Sequence, residues 1–197
     1  MLHPDTQLRW IDDVIGYGVF VTRPIPRGTV VWVRCALDIA LTPAQCAELP
    51  PAHQATLAHF GYLDATGDTI LCWDHGRYIN HSCQPAMLSL GDEAEIAPRD
   101  LAAGEQLTCE YALCNIVQPL SCRCGVPQCR GLIRADDVFR LESRWADEVA
   151  QALAEAGSVA QPLLAFARDP GGLLALLQRE RPAPALSSHH FSPPRAA

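Results

Sequence analysis

Two short segments constrain this chain more than any other feature in it. Arg77-Tyr78-Ile79-Asn80-His81-Ser82-Cys83 places an Asn-His pair inside an irregular stretch running from Asp74 to Pro85. Further on, Gly104-Glu105-Gln106-Leu107-Thr108-Cys109-Glu110-Tyr111 is a glycine turn feeding a β-type run that a tyrosine closes. An Asn-His pair on a loop, answered by a strand-terminal Tyr, suits a site that grips a polar cofactor and polarises one reacting group. Loops held by a scaffold are where such chemistry commonly sits.

The scaffold implied around these segments is mainly β. Residues 8–40 read as short strands broken by turns, with Pro24, Pro26 and Gly28 punctuating the apolar runs Val19-Phe20-Val21 and Val30-Val31-Trp32-Val33. Thr42-Pro43-Ala44-Gln45 carries a helix start, with Thr42 as cap, Pro43 in the first turn and Gln45 closing a capping box. That places one or two short helices between residues 43 and 60, and Ile70-Leu71-Cys72-Trp73 reads as a further strand. Arg23-x-Ile25-x-x-Gly28-x-x-Val31 has the same spacing as Arg99-x-Leu101-x-x-Gly104-x-x-Leu107. Either the match is chance or the core is two similar β modules, each with an apolar anchor and a glycine turn leading into a strand.

From Asp136 onward the composition shifts to Ala, Leu, Glu and Arg. Val138, Leu141, Trp145, Val149 and Leu153 recur at helical spacing, which predicts an amphipathic helix ended by Gly157. Val159 to Arg168 and Gly172 to Arg179 suggest two shorter helices, and residues 182–197 read as a disordered tail. The tail carries His189 and His190, which read as a solvated pair rather than metal ligands.

Two further motifs carry chemistry. Gly16-Tyr17-Gly18 is either a hairpin turn or a place where the main chain comes close to a ligand, with the Tyr17 ring open to a cation. Cys122-Arg123-Cys124, with Cys129 beyond a turn of Gly125 and Pro127, groups three thiols. Structural zinc takes four ligands, so three thiolates need a fourth, the alternative being a set of free buried thiols. The chain has nine cysteines, an odd number, which fits thiolate ligands in a reducing compartment better than a disulfide framework.

Taken in chain order, Gly16-Tyr17-Gly18, Arg77 to Pro85, Gly104 to Tyr111 and the late cysteines resemble the SET-domain protein lysine methyltransferases. The resemblance covers about residues 10 to 134. It implies a SET-like fold of several small sheets with a short helical insert, a post-SET zinc loop and a C-terminal helical extension. The corresponding boundaries are a SET domain over 8–112 with its insert at 42–60, a post-SET segment over 113–134, C-terminal helices over 135–181, and the tail. The implied reaction is methyl transfer from S-adenosylmethionine to a lysine ε-amine.

The resemblance also assigns roles. Gly16, Tyr17, Gly18, Asn80, His81 and Arg123 would meet the cofactor, with Leu132 a candidate cover for its adenine, and Tyr111 would stand beside the transferring methyl. Cys83 would join Cys122, Cys124 and Cys129 as the fourth zinc ligand, with Cys114 as a rival, while Cys35, Cys46 and Cys72 read as packing residues. Phe60, Tyr62 and Tyr78 are candidate walls of a lysine channel. Cys109 stands two residues before the Tyr, where relatives commonly carry Phe or Tyr; the smaller residue would leave room for more than one methyl group. The chain departs from the family pattern at Ala86, in place of an Asn after the Pro, and at Glu110, in place of an Asp.

Lysine enters such a site with a free pKa of about 10.4 and must react as the neutral amine. A narrow apolar channel and a neighbouring sulfonium both lower that value, so alignment and preorganised electrostatics replace a dedicated base. The net charge of −7 disfavours direct nucleic-acid binding and suits a basic protein substrate, histone-like or ribosomal. All fifteen basic residues are Arg; either genomic composition accounts for this, or an enzyme without lysines is protected from methylating itself. With no secretory leader at Met1-Leu2-His3-Pro4-Asp5 and no long apolar run, the expected location is cytoplasmic, export to a host being the other destination. The competing functional class is a SET-like module that binds cofactor or a partner through residues 136–180 without turnover.

Overall fold

The computed structural model describes residues 1–191. β1 (Thr6–Asp12) and β2 (Gly16–Val21) make an antiparallel hairpin. Asp12 tightens its turn by accepting from the backbone N–H groups of Val14 and Ile15, both at 2.8 Å. Gly16 enters β2 at φ 79°, a conformation open to glycine at little cost. β3 (Val30–Val33) and β4 (Ile39–Leu41) follow, then the insert of α1 (Pro43–Glu48) and α2 (Pro51–Phe60). The Thr42 capping box is present in both directions, side chain to backbone each way.

The remaining strands are short: β5 (Tyr62–Leu63), β6 (Thr69–Leu71), β7 (Asn80–His81), β8 (Leu88–Ser89), β9 (Ala94–Ile96), β10 (Gln106–Cys109), β11 (Leu120–Ser121) and β12 (Leu132–Ile133). Among the described residues they form four small sheets, ordered β1-β2-β10-β7, β3-β9-β8, β4-β6-β5 and β11-β12. This is the β-rich, SET-like architecture expected from the motifs.

The repeated spacing around Ile25 and Leu101 is a structural repeat. These two anchors pair with each other, Ile25 N–H to the Leu101 carbonyl at 3.0 Å and Leu101 N–H to the Ile25 carbonyl at 2.8 Å. Gly28 and Gly104 take the same turn conformation, φ 86° in both, and lead into β3 and β10. Ile25, Val31, Leu101 and Leu107 are all buried in one apolar cluster.

The periodic C-terminal run forms α3 (Asp137–Ala156), with Gly157 at its end. Val138, Trp145, Val149, Ala152 and Leu153 bury one face against Val30, Leu88 and Ile96 of the β layer. Val159 to Arg168 differs from expectation: only a 3₁₀ turn forms at Leu164–Phe166, since Pro162 cannot donate to a helical ladder. α4 (Pro170–Leu177) then starts on the Asp169 cap.

The reading of 182–197 as a disordered tail is corrected over residues 182–191; the rest lies outside the described residues. Leu186 is buried in the α3 cluster, and the Ser187 N–H and hydroxyl both donate to Glu142 on α3, at 2.8 and 2.7 Å. Leu186 and Phe191 anchor a stretch otherwise of small and polar residues, Leu186 against α3 and the Phe191 ring beside Gly67. His189 and His190 are half-buried there, and neither belongs to a metal-binding group among the described residues. No helix among the described residues is long and apolar enough to cross a membrane.

Candidate active site and thiolate cluster

The two opening segments meet as neighbouring strands. β7 and β10 pair in parallel, Thr108 beside Asn80 and Cys109 beside His81. β10 ends where the Glu110 carboxylate accepts from the Ala112 N–H at 3.1 Å, starting a 3₁₀ turn over Tyr111–Cys114. That turn swings Tyr111 back over β7. Its N–H donates to His81 Nδ1 at 3.2 Å, and its hydroxyl donates to the Ile79 carbonyl at 3.0 Å. Burial pushes the Tyr111 phenol well above its usual range, so it stays protonated at any physiological pH.

Burial, with the Arg130 guanidinium second, brings the His81 ring down to about 4. The ring is neutral at pH 7. Since Nδ1 accepts from Tyr111, the proton belongs on Nε2, which lies 3.4 Å from Cys83 Sγ. The 3.7 Å approach of Nδ1 to Glu110 is therefore not an ion pair.

The Gly16-Tyr17-Gly18 segment lies across from Asn80, whose side-chain N–H donates to the Tyr17 carbonyl at 3.0 Å. A Cβ on Gly18 would fall 2.6 Å from the Gln106 side-chain nitrogen and 3.1 Å from that of Asn80, so any other residue would displace these amide ends. The Gln106 nitrogen is buried without a partner, an unused donor at a place suited to a polar ligand. The Tyr17 ring is partly exposed and meets Trp10 and Tyr78 edge-on, at 5.1 and 5.6 Å between centroids. Arg123 is exposed and makes no hydrogen bond or ion pair with this group among the described residues.

Beside Tyr111 opens a cleft of about 620 Å³, walled by α2, β5, β6, β9 and the 3₁₀ turn after β10. Phe60, Tyr62 and Cys109 line it with Tyr111, and the Tyr62 ring lies edge-on to Trp32 at 6.1 Å. Tyr78 is not on this wall: it packs between Tyr17 and Phe60 and so supports the cleft from behind. Glu95 lines the cleft as well, a residue that sequence reasoning did not single out. The available signal was an acid inside the apolar run Ala94-Glu95-Ile96-Ala97.

Cys83, Cys122, Cys124 and Cys129 bring their sulfur atoms within 4.8 Å of one another. Cys83–Cys122 and Cys122–Cys129 are 3.7 and 3.6 Å apart. A tetrahedral zinc with Zn–S of about 2.3 Å has sulfur–sulfur edges of about 3.8 Å, so this set could bind zinc. Burial opposes ionisation of Cys124, but N–H groups of Cys83 and Val126 outweigh it and bring that thiol to about 6. Cys114 lies outside the group, its Sγ directed at the Glu110 carbonyl.

Arg130, also missed from sequence, ties the cluster to the site. Its backbone N–H points at Cys83 Sγ at 3.4 Å, its guanidinium donates to Glu110 at 2.7 Å and approaches Asp137 at 3.6 Å, and it lies over the Trp145 ring at 5.9 Å. Burial raises the Glu110 carboxyl even so, although Arg130 draws it down.

Comparison with known proteins agrees with this geometry. The SET domain family model matches residues 16–112. Histone-lysine N-methyltransferase ATX2 of Arabidopsis thaliana is 45% identical over 62 residues, covering 28% of this chain and 6% of that protein. Histone-lysine N-methyltransferase TRX1 of Oryza sativa subsp. japonica gives the same identity and coverage. The H3 lysine-36 specific histone-lysine N-methyltransferase of Schizosaccharomyces pombe is 32% identical over 100 residues, 47% of this chain and 12% of that protein. The chain thus spans only a small part of the length of these relatives.

Proposed function

Because residues 16–112 are a SET domain, we propose that the chain transfers a methyl group from S-adenosylmethionine to the ε-amine of a lysine in a basic protein. The observation that carries this reading is the double tie of Tyr111 to the opening motif, N–H to His81 and hydroxyl to the Ile79 carbonyl. A phenol that has spent its proton on a carbonyl keeps its lone pairs free to face positive charge, which is what a methyl leaving a sulfonium carries. S-adenosylmethionine, when bound, supplies that electrophilic methyl.

The chain's own groups do the rest. Asn80, His81 and the Gly16-Tyr17-Gly18 main chain hold the cofactor, with Tyr17 offering an aromatic face to a cation and Arg123 closing from the post-SET loop. Tyr62 and Cys109 wall the lysine channel, with Tyr78 behind them, and the apolar cleft favours the neutral amine over ammonium. Cys83, Cys122, Cys124 and Cys129 hold a structural zinc that staples the post-SET segment to the cofactor motif. The net charge of −7 favours a basic partner, histone-like or ribosomal.

The test is methyl transfer from tritiated S-adenosylmethionine to a panel of histones and ribosomal proteins, with calorimetry of cofactor binding alongside. The native chain should label the panel and Tyr111→Phe should lose about a hundredfold in rate while binding cofactor normally. Binding without transfer would demote the chain to a non-catalytic module, and no binding would refute both.

A further inference from the structure

Glu95 sits on β9, opposite Trp32 of β3 and Ser89 of β8, and its side chain lines the cleft that Tyr62, Cys109 and Tyr111 share. It is 9% exposed. Its Oε2 atom is wholly buried and accepts no hydrogen bond, and no cation pairs with it among the described residues. Arg34, which follows β3, is already held by Asp64 at 3.1 Å. The Tyr62 hydroxyl in the same cleft is also buried and unpartnered.

An acid with no partner in an apolar cavity costs several kcal/mol if it stays charged. Trp32, Leu57, Ile79 and Met87 give this cavity its apolar character. A fold that keeps such a group where substrate enters has left the partner to come from outside.

We infer that Glu95 recognises the substrate: its carboxylate receives the nitrogen of a primary aliphatic ammonium entering the cleft, and the Tyr62 hydroxyl adds a second polar contact. The inference rests on the methyl-transfer reading for the identity of that ammonium as a lysine side chain. Burial pushes the Glu95 carboxyl up to about 8, so the acid is mostly neutral without a cation beside it and releases its proton to solvent as the ammonium arrives. Recognition as an ion pair is compatible with reaction as a free amine, because the pair can neutralise itself. One N–H bond of the ammonium breaks, an O–H bond forms on Glu95, and a neutral amine faces a neutral acid.

The two methionines provide the probe, since Met87 lines the cleft and Met1 does not. With both methyls carbon-13 labelled, n-butylammonium chloride should saturate a shift of the Met87 signal at concentrations at least about tenfold below those needed for 1-butanol. Glu95→Gln and Glu95→Leu should each abolish that preference while Met1 reports an unchanged fold. Equal response to the two probes in the native chain overturns the inference, whatever the variants do. So does a preference that survives in either folded variant.

A transfer arm separates the two readings. If the native chain methylates the basic-protein panel and Glu95→Gln leaves KM unchanged, the inference fails and the activity stands. If butylammonium binds through Glu95 but nothing is methylated, the cation site stands and the proposed activity fails.

Discussion

At the residue scale, Glu95 carries a stability signature of its own. Its carboxyl ionises near 8 in the folded chain against 4.5 ordinarily, so between those values the folded state holds a proton that the unfolded state has released. Stability from this group is complete below about pH 4.5 and declines as pH climbs to 8. Glu95→Gln does not titrate, so it should match the native chain at pH 4.5 and exceed it by on the order of 4 kcal/mol at pH 9. Asp92 and Arg77 also line the cleft and stay in both proteins, as do the thiol of Cys72, raised to about 12, and the phenols of Tyr62 and Tyr111, raised beyond their usual range. Urea unfolding at three pH values checks this, and a pH-independent difference would contradict it. Asn80, His81 and Tyr111 were legible in the sequence because each belongs to a local signature. Glu95 was not, because an acid in a three-residue strand reads as its solvent face, whereas β9 is the central strand of its sheet and every one of its residues is buried.

At the scale of elements, the cysteine-rich loop, the turn after β10 and α3 meet through one guanidinium. Arg130→Met keeps an apolar stem over Trp145 but strips Glu110 and Asp137 of their cation. Breaking a buried pair from one side costs about 3 kcal/mol, and here it loosens the turn that aims Tyr111. The variant should unfold several degrees lower and lose rate at saturating substrate more than it loses affinity, measured by thermal melts and steady-state kinetics. Metal content provides the companion test. The purified chain should carry one zinc per molecule by mass spectrometry, and Cys83→Ser should lose most of it, since structural zinc takes four ligands and the variant leaves three thiolates. Retention of stoichiometric zinc by Cys83→Ser would move the fourth ligand elsewhere. The strand–turn modules and α3 were readable because spacing and periodicity encode them directly. The Arg130 bridge was not, since it joins segments distant in sequence through a side chain whose neighbours, Cys129 and Gly131, say nothing of Glu110.

Across the whole molecule, the C-terminal stretch returns to the cleft that the first half builds. Asn115, buried and left-handed at φ 54°, directs its side-chain N–H groups to the carbonyls of Leu63 and His189 and accepts from the Phe191 N–H at 2.8 Å. The Phe191 ring fills the space where a Cβ on Gly67 would stand, and His189 does the same at Gly91. Residues 186–191 therefore brace β5 and the 3₁₀ turn that begins at Tyr111, two of the walls around the cleft, together with the turn before β6. Ending the chain after Arg181 would strip two of the three hydrogen bonds from a buried amide, each worth about 1 kcal/mol net, and uncover the seat of Leu186. Both losses lie outside the SET domain, and neither touches the thiolates. The truncated chain should match the full chain in zinc content and in affinity for S-adenosylmethionine, yet melt several degrees lower and bind a basic-protein substrate more weakly. Calorimetry, metal analysis and transfer kinetics on the same preparation test this directly: an unchanged melting midpoint would show that the tail only rests on the fold, whereas lost zinc would show that it holds the cysteine-rich loop too.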